Sequence, residues 1–128
     1  MSGPWVGGPP PPAGTGGRPS ILTLSWLLGA GPIVWIVHLS GSAALVPLAC
    51  EHPWATSVIN AFTVACAALI GWAGAWSARV LARHRPEGPN PDEVIAVLAT
   101  LALLFNVISL LVTVLEGAPV LVLDACPV

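Results

Sequence analysis

Among the residues of this chain that could do chemistry, His38 stands in the least expected place. It is the single ionisable residue of the apolar run from Gly31 to Ala49. An ionisable side chain in such a run is by default a candidate for proton transfer or for ligand binding. His38 is therefore a candidate cofactor ligand, for haem or a metal. The alternative is a neutral imidazole that donates one hydrogen bond to Asn106 or to a backbone carbonyl and so joins two helices.

Cys50, His52 and Cys126 form a second candidate site, because copper and zinc accept thiolate and imidazole ligands. A disulfide between Cys50 and Cys126 would remove two of these ligands, so the metal site and the disulfide are competing interpretations. The chain shows no nucleophile with a base and an acid to orient it, no phosphate-binding loop and no paired carboxylates in an apolar segment. The sequence therefore predicts a protein that is not an enzyme.

The composition of the chain excludes a water-soluble domain. Of its 128 residues, 55% are hydrophobic and 8% are charged, and the mean hydropathy is +0.85. Soluble domains average about a quarter charged residues, so this chain lacks the polar surface that a fully hydrated fold needs. A net charge of −2, with four arginines and no lysine, also excludes a surface that binds nucleic acid. The sequence predicts an integral membrane protein that has the lipid bilayer as its surroundings.

Three apolar segments are each long enough to cross a bilayer. They predict an all-α membrane protein with three transmembrane helices, over about residues 21–49, 54–82 and 91–116. The first helix would be about 44 Å long at 1.5 Å per residue, which exceeds a hydrocarbon core of about 30 Å. We expect a kink near Pro32, because proline supplies no amide proton and clashes with the preceding turn.

The segments before and after the helices differ from them in composition. Residues 1–20 are dominated by proline and glycine, which predicts a disordered tail. Residues 21–117 form the predicted three-helix transmembrane domain. Residues 118–128 are too few to span a membrane and are expected to be an extracytoplasmic tail.

Capping signals indicate where the third helix begins and ends. Asn90, followed by Pro91 and Glu93, matches a capping box with proline at the first helical position. Glu116 and Gly117 match the stop signal of a helix. Both ends of this helix are therefore predicted from local chemistry.

Polar and small side chains within the segments predict how the helices pack. His38, Asn60 and Asn106 lie at depths of about 17, 9 and 14 Å below the same membrane boundary, so we expect them to join helices by hydrogen bonds. A polar stripe should face away from lipid, and a ladder of small residues should let two helices approach closely. The stripe consists of Asn106, Ser109 and Thr113, and the ladder of Ala67, Gly71 and Ala75.

The arginines orient the predicted helices. Three of the four lie within residues 79–85, so the loop that contains them is expected on the cytoplasmic side. Three spans then place the N-terminus inside and the C-terminus outside. Cys50 and Cys126 would lie together on the extracytoplasmic side, where disulfides persist, and we expect a bridge between them. Cys66 would lie within the membrane as a small apolar residue.

The first segment and the two outer cysteines carry a recognisable pattern. It reads Gly-Pro-x-x-Trp-x-x-His-Leu, followed by a cysteine, two further spans and a near-terminal Asp-x-Cys. This pattern resembles a group of small three-span bacterial membrane proteins that are commonly encoded near cytochrome c oxidase and oxidase-assembly genes. The resemblance covers about residues 29–126 and implies the bacterial inner membrane and a role in respiratory-chain assembly. The matched residues are Gly31, Pro32, Trp35, His38, Leu39, Cys50 and Cys126.

Two functional hypotheses follow. The first is a non-enzymatic accessory or assembly factor that packs against a larger membrane complex such as a haem–copper oxidase. Three thin helices rich in glycine and alanine bury few of their own polar residues, so a membrane-protein partner or a homo-oligomer is expected. The alternative is a haem or copper carrier that uses His38, or the cluster of Cys50, His52 and Cys126.

Overall fold

The chain forms three long α-helices and no β-strand within the described residues. The structure is a computed structural model that describes residues 18–122, with the backbone alone for residues 120–122. Helix α1 spans Ile21–Glu51, α2 spans Pro53–His84 and α3 spans Glu93–Val122. Each helix is long and apolar enough to cross a membrane. The prediction of an all-α protein with three transmembrane helices is confirmed, whereas its orientation in the membrane stays a prediction.

Helix α1 is capped at its start and continues through both of its prolines. The Ser20 hydroxyl accepts a hydrogen bond from the backbone N–H of Thr23 at 3.1 Å, which satisfies one of the unpaired amides of the first turn. Pro32 and Pro47 lie inside the helix without ending it. His52 alone separates α1 from α2, whose first residue, Pro53, needs no hydrogen-bond acceptor for its nitrogen.

The connection between α2 and α3 folds back onto the end of α2. The backbone N–H groups of Asn90 and Asp92 donate to the carbonyls of Arg83 and His84, at 3.0 and 2.9 Å. Asp92 also caps α3, because its carboxylate accepts from the backbone N–H of Ile95 at 3.2 Å. The prediction of Asn90 as the N-cap is therefore wrong. The backbone N–H of Asn90 bonds the last turn of α2, and α3 starts three residues later.

Helix α3 also continues past its predicted stop. Glu116 and Gly117 lie inside the helix, which continues to Val122, the last described residue. Gly117 serves helix packing instead, since a Cβ added there would lie 2.5 Å from the Thr63 side-chain methyl. The predicted tail of residues 118–128 therefore begins with helix, and residues 123–128 lie outside the described part of the chain, as do residues 1–17 of the predicted disordered tail.

The helices pack side by side, with α1 and α3 parallel and α2 antiparallel to both. We call the end of the bundle at His52 the turn end, and the end at residues 85–92 the loop end. The apolar core lies toward the loop end and is built from small and branched side chains: Leu24, Leu27, Val80, Ile95, Ala99 and Ala102. Towards the turn end the interior becomes polar, and the candidate site lies there.

Candidate functional site

His38 is the centre of the polar cluster near the turn end. Its side chain is 2% exposed, and its Nε2 lies 2.9 Å from the Thr63 hydroxyl on α2. The Ser42 hydroxyl, one turn further along α1, lies 3.4 Å from the same nitrogen. The predicted partner Asn106 is not in contact with His38, because Asn106 packs at a level nearer the loop end.

Glu116 of α3 faces the other nitrogen of His38. Its carboxylate Oε2 lies 3.8 Å from His38 Nδ1 and accepts a hydrogen bond of 3.2 Å from the Trp35 indole N–H. The sequence pattern places Glu116 only at the end of a helix and does not predict its contact with His38. The signal that could have found it is the spacing of Trp35 and His38, which puts two nitrogen-bearing rings on one face of α1.

An aromatic ring and a close helix approach complete the surroundings of His38. The ring of Phe62 stacks on the imidazole with a centroid separation of 5.8 Å and an interplanar angle of 22°. Gly41 makes room for it, because a Cβ there would lie 2.6 Å from the Phe62 ring. A cavity of about 240 Å³ opens beside the cluster and is lined by His38, Ser42, Thr63 and Glu116 together with apolar side chains.

A second polar contact joins α1 to α3 nearer the loop end. The Asn106 side-chain amide donates to the Leu27 carbonyl at 2.8 Å and to the Ala102 carbonyl at 2.7 Å. The α1 backbone approaches at Gly31, where an added Cβ would lie 2.9 Å from Asn106 Oδ1 and 3.0 Å from its Cα. Pro32 leaves the Leu28 carbonyl without its helical donor, and Asn106 bonds the neighbouring Leu27 carbonyl, so the side chain ties α1 to α3 close to the proline.

The predicted polar stripe of α3 is confirmed as an inward-facing one. Asn106, Ser109 and Thr113 are 1%, 7% and 0% exposed. Among the described residues, no helix packs closely at the centre of the predicted ladder of Ala67, Gly71 and Ala75, since a Cβ added to Gly71 would meet nothing within 4 Å. The buried face of α2 instead includes Cys66, Ile70, Ala73, Gly74 and Ser77.

Thr113 offers a test of how its buried hydroxyl affects stability. Its Oγ1 is buried and has no hydrogen-bond partner among the described residues. Thr113→Val replaces this hydroxyl with a methyl group of similar size, and we expect it to raise the free energy of unfolding by about 1 kcal/mol, because an unpaired buried polar group costs about 1–3 kcal/mol. Reversible unfolding of the purified protein in SDS mixed micelles, followed by circular dichroism, measures it. A loss of stability would show that the hydroxyl has a bonding partner such as an ordered water.

The remaining predicted site residues do not join the His38 cluster. Asn60 is half-buried, and its side chain makes no hydrogen bond within the described part of the chain. His52 is exposed in the turn and stacks on Trp54 with a centroid separation of 5.9 Å. Cys50 lies in the last turn of α1, and Cys66 is a free, buried thiol.

The proposed ligand set of Cys50, His52 and Cys126 includes one residue outside the described part of the chain. Cys126 is that residue, so both the metal site and the Cys50–Cys126 disulfide stay predictions. Across the described residues there is no group of three His, Cys, Asp or Glu side chains placed to hold a metal ion.

Comparison with known proteins adds no identity to this picture. No family model, no curated protein and no solved structure matches the chain.

Proposed function

We propose that this protein is a non-enzymatic accessory or assembly factor that packs within the membrane against a larger complex. The resemblance of the Gly-Pro-x-x-Trp-x-x-His-Leu segment suggests a haem–copper oxidase as that complex, in the bacterial inner membrane. One observation favours a structural role for this segment over ligand binding: its polar side chains contact the chain's own helices. Trp35 bonds Glu116, and His38 bonds Thr63. These residues therefore hold α1 in place.

The outer face of α1 is the surface we assign to the partner. Of the apolar 18-residue window in α1, 6% is buried within the bundle, against 28% in α2 and in α3. Exposed branched side chains at Ile33, Ile36 and Val37 lie on this helix. Because lipid also covers such a face, its role in binding has to be tested by changing its shape.

The test is purification of the tagged full-length protein in a mild detergent, with identification of the associated proteins. We expect oxidase subunits to accompany the wild type, and Ile36→Trp to reduce their recovery at least fivefold. Ile108→Trp is the matched control, because Ile108 is exposed to a similar extent on α3, 56% against 54% for Ile36. A single protein of 13.1 kDa without partners would overturn the proposal.

The same purification tests the alternative of a haem or copper carrier. Its support is the free Nδ1 of His38, which has no hydrogen-bond partner within the described residues. The neighbouring cavity of about 240 Å³ is smaller than the 300–1,000 Å³ of typical organic-ligand pockets, which does not favour haem. An absorbance spectrum with a haem band, or copper bound in a one-to-one ratio, would favour the carrier.

A disulfide between Cys50 and Cys126 is part of the proposal, together with a C-terminus outside the membrane. The chain has three cysteines, so thiol labelling under denaturing conditions should modify one before reduction and three after it. Cys66→Ala is the control that leaves the two proposed partners, and it should show none before reduction and two after it. Three reactive thiols in the unreduced wild type would contradict the bridge.

A further inference from the structure

The hydrogen bonds of Thr63 determine which nitrogen of His38 carries a proton. A threonine hydroxyl has one proton to donate. That of Thr63 goes to the Ile59 carbonyl, which can only accept, at 2.9 Å. The 2.9 Å contact between Thr63 and His38 must therefore be donated by His38, so Nε2 carries a hydrogen.

With a hydrogen on Nε2, the protonation state of Nδ1 is the next question. If Nδ1 were unprotonated, its lone pair would face the Glu116 carboxylate at 3.8 Å with no donor between them. Because the His38 side chain is 2% exposed, two acceptors facing each other there would repel more strongly than in open water. A proton on Nδ1 or on the carboxylate turns the repulsion into attraction.

We propose that His38 and Glu116 form a proton-binding site that holds one proton between Nδ1 and the carboxylate. Loading transfers a proton from a hydronium ion to a Glu116 oxygen and leaves a water molecule. The O–H bond then breaks as the Nδ1–H bond forms, which leaves an imidazolium beside a carboxylate. Unloading is the reverse, with water as the acceptor, so that no other reactant is needed.

Phe62 and Glu116 are the neighbours that could interact with a charged His38 ring. Phe62 presents its ring face at a centroid separation of 5.8 Å, within the range of a cation–π interaction. Around the imidazole, α2 contributes Thr63 and Phe62, neither of which titrates as a charged group here, and α3 contributes Glu116. Within the described residues, Glu116 is therefore the charged partner of His38.

Glu116 is the more exposed member of the pair. Its side chain is 33% exposed, whereas that of His38 is 2% exposed. Glu116 lies about 35 Å along α3 from Glu93 at 1.5 Å per residue, close to the boundary of a hydrocarbon core of about 30 Å. The cavity beside both residues, about 240 Å³, has room for several water molecules at about 30 Å³ each.

At its other end, the hydrogen-bond chain from His38 finishes at a group that cannot pass on a proton. From His38 the chain passes to Thr63 and stops at the Ile59 carbonyl, which has no proton to pass on. The site therefore binds and releases a proton at the turn end and does not conduct it across the membrane. Because Glu116 belongs to α3 and His38 to α1, the charge state of the site also affects how strongly these helices are held together.

Nitrogen NMR of the imidazoles tests the proposal in the full-length protein, labelled with ¹⁵N-histidine and placed in lipid nanodiscs. The chain has three histidines, and His38→Gln assigns the signals. Across a pH series we expect Nδ1 of His38 to exchange between a protonated and an unprotonated state while Nε2 keeps its hydrogen. Glu116→Gln should abolish protonation of Nδ1, because the glutamine amide can donate to Nδ1 without a proton being bound.

Two control variants test whether the titration depends on the carboxylate at position 116. Glu116→Asp retains a carboxylate and should retain the titration, and Glu93→Gln removes a carboxylate at the far end of α3 and should change nothing. If Glu116→Gln does not fold, wild-type protein labelled with ¹⁵N in tryptophan as well as histidine decides the matter, because the Trp35 indole N–H that bonds Glu116 must shift over the same pH range as His38. An Nδ1 without a proton throughout, or a titration unaffected in Glu116→Gln, would overturn the proposal.

Discussion

Gly31→Ala is expected to lower the free energy of unfolding by about 2–3 kcal/mol, since overpacking of a close contact costs about 1–3 kcal/mol and the Asn106 hydrogen bonds are strained with it. The added Cβ would lie 3.0 Å from the Asn106 backbone and 3.0 Å from the Ser109 hydroxyl. A side chain can rotate away from such a contact, but a backbone atom cannot. Helices α1 and α3 must therefore separate. Unfolding in SDS mixed micelles, followed by circular dichroism, measures the loss.

Gly71→Ala is the matched control for this substitution. It makes the same change in a helix, but the new Cβ would meet nothing within 4 Å. Alanine is favoured over glycine inside a helix by about 1 kcal/mol, so this variant should be as stable as the wild type or slightly more so. Equal stability of Gly31→Ala and Gly71→Ala would contradict the close approach of α1 and α3.

Gly117→Ala is expected to destabilise the bundle by about 2 kcal/mol through overpacking, and a second substitution should reverse most of the loss. The Cβ added at position 117 would lie 2.5 Å from the Thr63 side-chain methyl. Thr63→Ser removes that methyl and keeps the hydroxyl that His38 contacts. The double variant should therefore be more stable than Gly117→Ala alone, as measured by the same unfolding assay.

Thr63→Ser alone provides the control, with an expected cost of about 0.8 kcal/mol for one buried methyl group. The coupling energy between positions 63 and 117 should then be about 1–2 kcal/mol in favour of the double variant, which is typical of residues in direct contact. Additive losses would show that Gly117 does not meet Thr63 and that α2 and α3 pack in another register.

The sequence allows the fold to be predicted because each span is an uninterrupted apolar run with charged or turn-forming residues at its ends. The exact ends were harder to predict. Asn90 and Asp92 are both good caps, and the choice between them depends on the backbone bonds that Asn90 makes to the end of α2. Glu116 and Gly117 stop a helix in water, but in this bundle their side of α3 packs against α1 and α2.

Only part of the candidate site could be predicted from the sequence. His38 was evident as an ionisable residue in an apolar run, and the stripe containing Asn106 as an inward-facing surface. Pairing the two by depth was wrong, because the estimate took all helices to begin and end at common boundaries. The observed register joins Asn106 to Leu27 and brings Glu116 to His38. A shift of about ten residues along a helix, about 15 Å, decides which polar groups meet.

The unequal burial of the helices has a consequence for assembly during synthesis. Helix α1 is made first, yet 6% of its apolar window is buried in the bundle, against 28% for the later helices. Membrane helices insert singly and associate afterwards, through packing and hydrogen bonds. Since little of this window is buried, the attachment of α1 depends on Leu24 and Leu27 in the core and on a few contacts at Gly31, Trp35 and His38. The helix that enters the membrane first is thus expected to be the last to find its final position.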